Sequence, residues 1–123
     1  GRPPDMPTII NQISFIVDDL EELREFHRVV VGEKVRDLAP RNHGNAWSIY
    51  FADPEGNRIE LYTPSPWYVG QPYGRPLDLT ASADTIHDQT LAMIRNDPSF
   101  ASQEEWESRM KARIEDANTT QPL

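Results

Sequence analysis

The 123-residue sequence contains no cysteine. This excludes disulfide bonds, thiolate catalysis and cysteine-ligated zinc or iron–sulfur centres. The sequence also lacks any apolar run close to the ~20 residues that a membrane-spanning helix needs, and its first residues lack the apolar core of a signal peptide. We therefore expect a cytoplasmic protein that has no membrane partner.

Basic residues are scarce, because 12 Lys and Arg stand against 20 Asp and Glu, giving a net charge of −8. Proteins that bind the phosphate backbone of nucleic acids need clustered Lys and Arg, so no nucleic-acid partner is expected. Glycine is sparse as well, with six residues, whereas the 11 prolines shorten the regular elements. The length is typical of one domain, here with a modest core.

The spacing of apolar residues predicts a β-α-β-β-β unit over residues 8–63. Alternating apolar side chains indicate a first strand over Thr8–Val17. Asp19 and Glu22 have the spacing of a capping box that opens a helix through about Val31. Three further strands are predicted around residues 34–38, 47–51 and 58–62.

The second half of the chain is less regular. Residues 64–82 form a connection rich in proline and glycine, and residues 83–117 are predicted to be a helical tail. Its two helices are expected at about 83–95 and 103–116. Ser102 and Glu105 form a second capping box before the later helix. The fold class is therefore α+β.

Alternation along the predicted strands separates an apolar from a polar sheet face. Ile13, Phe15 and Val17 are expected to cover the helix. The opposite face then carries Gln12, Ser14, Ser48, Tyr50, Arg58, Glu60 and Tyr62. Such a face either simply meets solvent, as in many antiparallel sheets, or binds a metal or a small polar ligand. The amide, the phenols and the single carboxylate favour the ligand.

The sequence contains three histidines, and their positions differ relative to the polar face. His43 precedes the third predicted strand and is either an ordinary loop residue or a catalytic group beside the polar face. His27 on the helix and His87 in the tail are expected to be surface residues.

A longer motif gives these residues a context. The segment HGNAWSIYFADPEGNRIELY, residues 43–62, resembles the last module of the vicinal oxygen chelate superfamily, and INQISFIVDDLEELREF, residues 10–26, fits the same module. Within the superfamily the sequence is most similar to extradiol ring-cleaving dioxygenases, with glyoxalases and bleomycin-resistance proteins as wider relatives.

The resemblance implies a metal-dependent dioxygenase that cleaves an aromatic vicinal diol with O₂. Its fold would be a single β-α-β-β-β module of the vicinal oxygen chelate fold, followed by the helical tail. Glu60 corresponds to the carboxylate ligand of Fe(II) in such enzymes. His43 corresponds to the acid–base histidine, and Tyr50 to the tyrosine that hydrogen-bonds a substrate oxygen.

Two departures from the family pattern widen the possibilities. Gln12 stands where the family has a histidine ligand, and a glutamine oxygen is compatible with Zn(II), Ni(II), Mn(II) or Mg(II) as well. Only one module is present, so a homodimer or a heteromer must supply the second. The resemblance therefore also accommodates a glyoxalase-like lyase or isomerase, or a non-catalytic ligand-binding or partner subunit.

Overall fold

A computed structural model describes residues 12–120 and contains the predicted β-α-β-β-β order. The elements of that unit are β1 Gln12–Ile16, α1 Leu20–Gly32, β2 Arg36–Asn42, β3 Ala46–Ala52 and β4 Arg58–Pro64. The elements that follow are β5 Trp67–Tyr68, β6 Arg75–Pro76, α2 Ala83–Ile94, β7 Ala101–Ser102 and α3 Gln103–Thr120. Residues 8–11 of the predicted first strand lie outside the described residues. The α+β class and the β-α-β-β-β order are confirmed.

The main sheet has the strand order β1-β4-β3-β2-β6. β1 runs parallel to β4, and the remaining pairs are antiparallel. The second strand lies later in the sequence than predicted, because Lys34 and Asp37 adopt left-handed φ angles of 52° and 57°. Continuous pairing with β3 begins only at Ala39, and Pro40 lies inside the strand rather than after it.

Helix α1 begins as the sequence predicts, since the Asp19 carboxylate accepts a hydrogen bond of 2.8 Å from the backbone N–H of Glu22. Its apolar stripe buries Leu20, Leu23 and Val30, and the helix packs against β3 and β4.

The expectation that the first strand covers α1 is wrong for two of its three apolar residues. Ile13 is 44% exposed and Phe15 is 52% exposed, whereas Val17 is buried. The reason is topological. Among the described strands β1 lies at the sheet edge, while α1 packs over the strands at the centre.

The second half of the chain contributes much of the core. Thr90 of α2 is fully buried, and its hydroxyl accepts hydrogen bonds from Asn42 Nδ2 at 2.8 Å and Trp47 Nε1 at 2.9 Å. The same hydroxyl donates to the carbonyl of Ile86 at 2.7 Å. These contacts fix α2 to β2 and β3. The buried apolar cluster extends through Trp67, Val69, Leu79, Ile86 and Ile94.

Helix α3 is anchored near its start. The Ser102 hydroxyl accepts from the Glu105 N–H at 3.0 Å, as the second capping box predicts. Trp106 stacks on Tyr68 of β5 with ring centroids 4.8 Å apart. Within the described residues, no helix combines the length and the apolarity needed to cross a membrane.

Candidate functional site

Glu60 is the centre of a hydrogen-bond network on the polar sheet face. Its carboxylate accepts from Ser14 Oγ at 2.9 Å, from Ser48 Oγ at 3.1 Å and from Gln12 Nε2 at 3.3 Å. Ser14 and Tyr50 lie directly beside Glu60 on the neighbouring strands β1 and β3. Strand alternation aims all these side chains to one face. The predicted metal ligands Gln12 and Glu60 are thus in contact.

The polar face of the sheet is not simply a surface exposed to solvent, because part of it is buried and lines a cavity. Ser48 is only 1% exposed although it lies on the polar side of β3. The strands around it curve into a cavity of about 300 Å³, whose lining includes Glu60, Ser14 and His43. A cavity lined by a carboxylate, hydroxyls and an imidazole fits a small polar ligand.

The other predicted pair, His43 and Tyr50, is also in contact. His43 Nε2 lies 3.0 Å from the Tyr50 hydroxyl oxygen, and His43 Nδ1 lies 3.0 Å from the carbonyl oxygen of Tyr73. A carbonyl can only accept, so Nδ1 carries a proton and donates it to Tyr73. In the neutral ring Nε2 therefore holds a lone pair, which accepts the Tyr50 hydroxyl.

The loop that supplies this carbonyl is held by Gln71. Its Nε2 donates to the carbonyl of His43 at 2.9 Å and to that of Val69 at 3.1 Å. Its Oε1 accepts from the backbone N–H of Tyr73 at 3.1 Å. Neither Gln71 nor Tyr73 is predicted from the sequence, because both lie in an aperiodic segment. Their polar and aromatic side chains among prolines and glycines were the only signal there.

The environment of Tyr50 keeps its hydroxyl protonated. Burial raises the pKa of Tyr50, and the neighbouring Glu60 carboxylate raises it further. The nearby Ser48 hydroxyl and the Arg58 guanidinium, which lies over the Tyr50 ring at 4.9 Å, act in the opposite direction. The net effect is a neutral phenol that is available as a hydrogen-bond donor.

The remaining histidines, which were expected to be surface residues, lie apart from this network on α1 and α2. His27 is half-buried on α1, and burial lowers its pKa against the opposing effect of Asp78. His87 on α2 packs against Trp67 with ring centroids 4.5 Å apart.

The described residues do not form a complete metal site. Among residues 12–118, no group of three or more His, Asp or Glu side chains is placed to bind a metal. Gln12 and Glu60 offer one amide oxygen and one carboxylate, whereas both ring nitrogens of His43 are engaged by Tyr50 and Tyr73. The two-histidine, one-carboxylate set of Fe(II) dioxygenases is thus not assembled from these residues.

Comparison with known families agrees with this fold. Residues 1–61 match the family model of the Glyoxalase/Bleomycin resistance protein/Dioxygenase superfamily. The chain belongs to this superfamily. No curated protein and no solved structure is significantly similar to it. The matched segment carries Gln12, His43, Tyr50 and Glu60 and ends within β4.

Membership of the glyoxalase/bleomycin resistance protein/dioxygenase superfamily does not select one reaction, since its description covers two kinds of enzyme and a resistance protein. The loop with Gln71 and Tyr73 lies beyond the matched segment. The candidate site therefore includes two residues, Gln71 and Tyr73, that lie outside the segment matched by the family model.

Proposed function

We propose that the polar face binds a small substrate with two adjacent oxygen atoms, above all an aromatic diol, and that His43 and Tyr50 transfer a proton at one of them. The observation that carries the proposal is the 3.0 Å contact between His43 Nε2 and the Tyr50 hydroxyl. A general acid–base pair must lie within such hydrogen-bond reach, about 2.6–3.2 Å.

The hydrogen bonds around this pair suit proton transfer in one direction. The Tyr73 carbonyl accepts the hydrogen bond from Nδ1–H, so Nε2 is the basic nitrogen of the neutral ring. Tyr50 can transfer its proton to His43 Nε2, and the Tyr50 oxygen can in turn accept a proton from a substrate hydroxyl. Glu60 can accept a hydrogen bond from the adjacent hydroxyl, because carboxylates are acceptors at neutral pH.

The first reaction that we propose is extradiol ring cleavage of an aromatic diol. The combination of His43, Tyr50 and Glu60 supports it. Since one chain contributes only one ligand of the set that Fe(II) dioxygenases use, the histidine ligands would have to come from a partner chain.

A second candidate, a glyoxalase-like lyase or isomerase, is favoured by the contact between Gln12 and Glu60 at 3.3 Å. Two copies of the chain would bring together two amide oxygens and two carboxylates. Mg(II) and Mn(II) prefer such oxygen ligands, and Zn(II) and Ni(II) also accept them. This arrangement needs no partner other than a second copy.

For the second reaction the partner that we propose is a second copy joined at the β1 edge, whereas the first reaction would need a different chain that carries the histidine ligands. Among the described strands β1 ends the sheet, and it exposes Ile13, Phe15 and Ile16. An exposed edge strand with apolar side chains is prone to pair with another chain. A two-fold axis at this edge would bring Gln12 and Glu60 of both copies together.

The deciding experiment measures oligomeric state and metal content of the freshly purified protein, then two activities. Catechol and O₂ are followed by oxygen uptake and by the yellow ring-cleavage product. The hemithioacetal of methylglyoxal is followed without O₂. We expect turnover in one assay that Glu60→Gln abolishes and that the control His87→Gln retains. A metal-bearing oligomer inactive in both assays, whose ligand binding is unchanged in Glu60→Ala, would identify a non-catalytic subunit instead.

A further inference from the structure

A second cavity of about 710 Å³ opens beside the Glu60 cavity, and Arg41 forms part of its wall together with Tyr73 and Gly74. His43 and Gln71 line both cavities. A ligand held beside His43 can therefore extend from one space into the other. In the second cavity such a ligand would lie beside the positive charge of Arg41.

The sheet register brings Arg41 to the ligand-binding face. The next residue, Asn42, is buried and donates to Thr90 on the helix-covered side. Alternation along β2 therefore points Arg41 toward the polar face. Arg41 lies directly across from Ser48 in the β2–β3 ladder, and the Ser48 hydroxyl donates to Glu60.

Among the described side chains, residues 12–118, the Arg41 guanidinium has no carboxylate partner. The ion pairs found within residues 12–118 are Arg24–Glu21, Arg28–Glu25 and Arg109–Glu105. Gly74 leaves room for the guanidinium, since a Cβ at that position would lie 3.2 Å from Arg41 Nη2. In a protein of net charge −8, a half-buried arginine without an acidic partner is available for an anion. A guanidinium binds a carboxylate through two parallel hydrogen bonds.

We propose that Arg41 binds an anionic substituent of the substrate, so that the preferred ligand is an aromatic diol that carries a carboxylate. This inference rests on the proposed function of the Glu60 face. Two strand spacings, roughly 10 Å, separate the backbones of β2 and β4. The Arg41 guanidinium lies beside Gly74 at the second cavity. One benzene ring that carries a carboxylate spans a distance of this order, with its diol toward Tyr50 and Glu60.

The test compares the binding of 3,4-dihydroxybenzoate, catechol and benzoate to the purified full-length chain by titration calorimetry. We expect dihydroxybenzoate to bind about tenfold more tightly than catechol, in line with charge-assisted hydrogen bonding. Arg41→Gln should weaken dihydroxybenzoate binding by about tenfold and leave catechol unchanged. Arg41→Lys, which keeps the charge but loses the planar fork, should fall between these values.

The matched control is Arg95→Gln. Arg95 is exposed at the end of α2 and lines neither of the two cavities, and its substitution changes the net charge by the same amount. This variant should retain the preference for dihydroxybenzoate. Equal weakening by Arg95→Gln and Arg41→Gln would show a general charge effect and would overturn the proposed contact.

The outcomes separate this inference from the function on which it rests. If both diols bind with equal affinity and Arg41→Gln changes neither, the diol site stands and the anion contact is wrong. If benzoate binds in an Arg41-dependent manner while catechol does not bind, the anion contact stands and the diol function is wrong. Absence of binding by all three compounds overturns the anion contact.

Discussion

His43 and Tyr50 form a hydrogen-bonded pair with 3.0 Å between Nε2 and the hydroxyl oxygen, and their rings are perpendicular. The two residues are joined by the β2–β3 turn, so the pair is local in sequence. The tautomer of His43 depends on a residue distant in sequence. The carbonyl of Tyr73 accepts a hydrogen bond from the protonated Nδ1, which leaves Nε2 as the acceptor for Tyr50.

Replacement Tyr50→Phe removes the hydroxyl that contacts His43 and keeps the ring beneath Arg58. Under the proposed function we expect kcat to fall by about 10²–10⁴-fold, the usual contribution of an acid–base group. Substrate affinity should change much less. Steady-state kinetics measure both effects. Tyr68→Phe is the control, since Tyr68 stacks on Trp106 away from the site, and a comparable loss of kcat in that variant would contradict the role of Tyr50.

Replacement Gln71→Ala removes the side chain that joins the His43 and Tyr73 backbones. The Tyr73 carbonyl is then less firmly held, so the neutral His43 ring should change from one tautomer to a mixture. Imidazole ¹⁵N chemical shifts measure this directly and do not depend on enzymatic activity. Gln89→Ala, at an exposed position of α2, and Tyr73→Phe, which keeps the carbonyl, should both leave the tautomer unchanged. A single Nδ1-protonated tautomer in Gln71→Ala would refute the positioning role.

Replacement Thr90→Val keeps the shape of a buried side chain but leaves Asn42 Nδ2 and Trp47 Nε1 without their acceptor. Because buried donors without partners are costly, we expect the free energy of unfolding to fall by roughly 2–4 kcal/mol. Denaturant titration with tryptophan fluorescence measures the change. Thr90→Ser retains the hydroxyl and should lose clearly less. Equal losses in the two variants would mean that packing of the methyl group, and not hydrogen bonding, fixes α2.

Replacement Phe15→Glu tests the proposed dimer edge. A carboxylate introduced into an apolar interface loses solvation without gaining a partner, so we expect the dimer dissociation constant to rise by at least about tenfold. Sedimentation equilibrium gives the constant. Ile114→Glu places the same charge at an exposed apolar position on α3 and should leave association unchanged. A dimer equally stable in both variants would locate the interface elsewhere.

Much of the module could be predicted from periodicity and capping. The Asp19–Glu22 cap appears where the sequence places it, and β3 and β4 include the predicted residues 47–51 and 58–62. The second strand was harder, since the left-handed conformations of Lys34 and Asp37 leave no trace in apolar spacing. The exposure of Ile13 and Phe15 was also beyond prediction, because alternation assigns a face but not a position within the sheet.

The sequence by itself determined the composition limits, the β-α-β-β-β order and the face that carries Gln12, Tyr50 and Glu60, because each depends on residue type and short-range spacing. Only the tertiary structure decided what that face contacts. The Tyr73 carbonyl and the Gln71 amide reach His43 across about thirty residues of irregular chain. Such hydrogen bonds depend on the path of the backbone in space, which the spacing of neighbouring residues in the sequence does not predict.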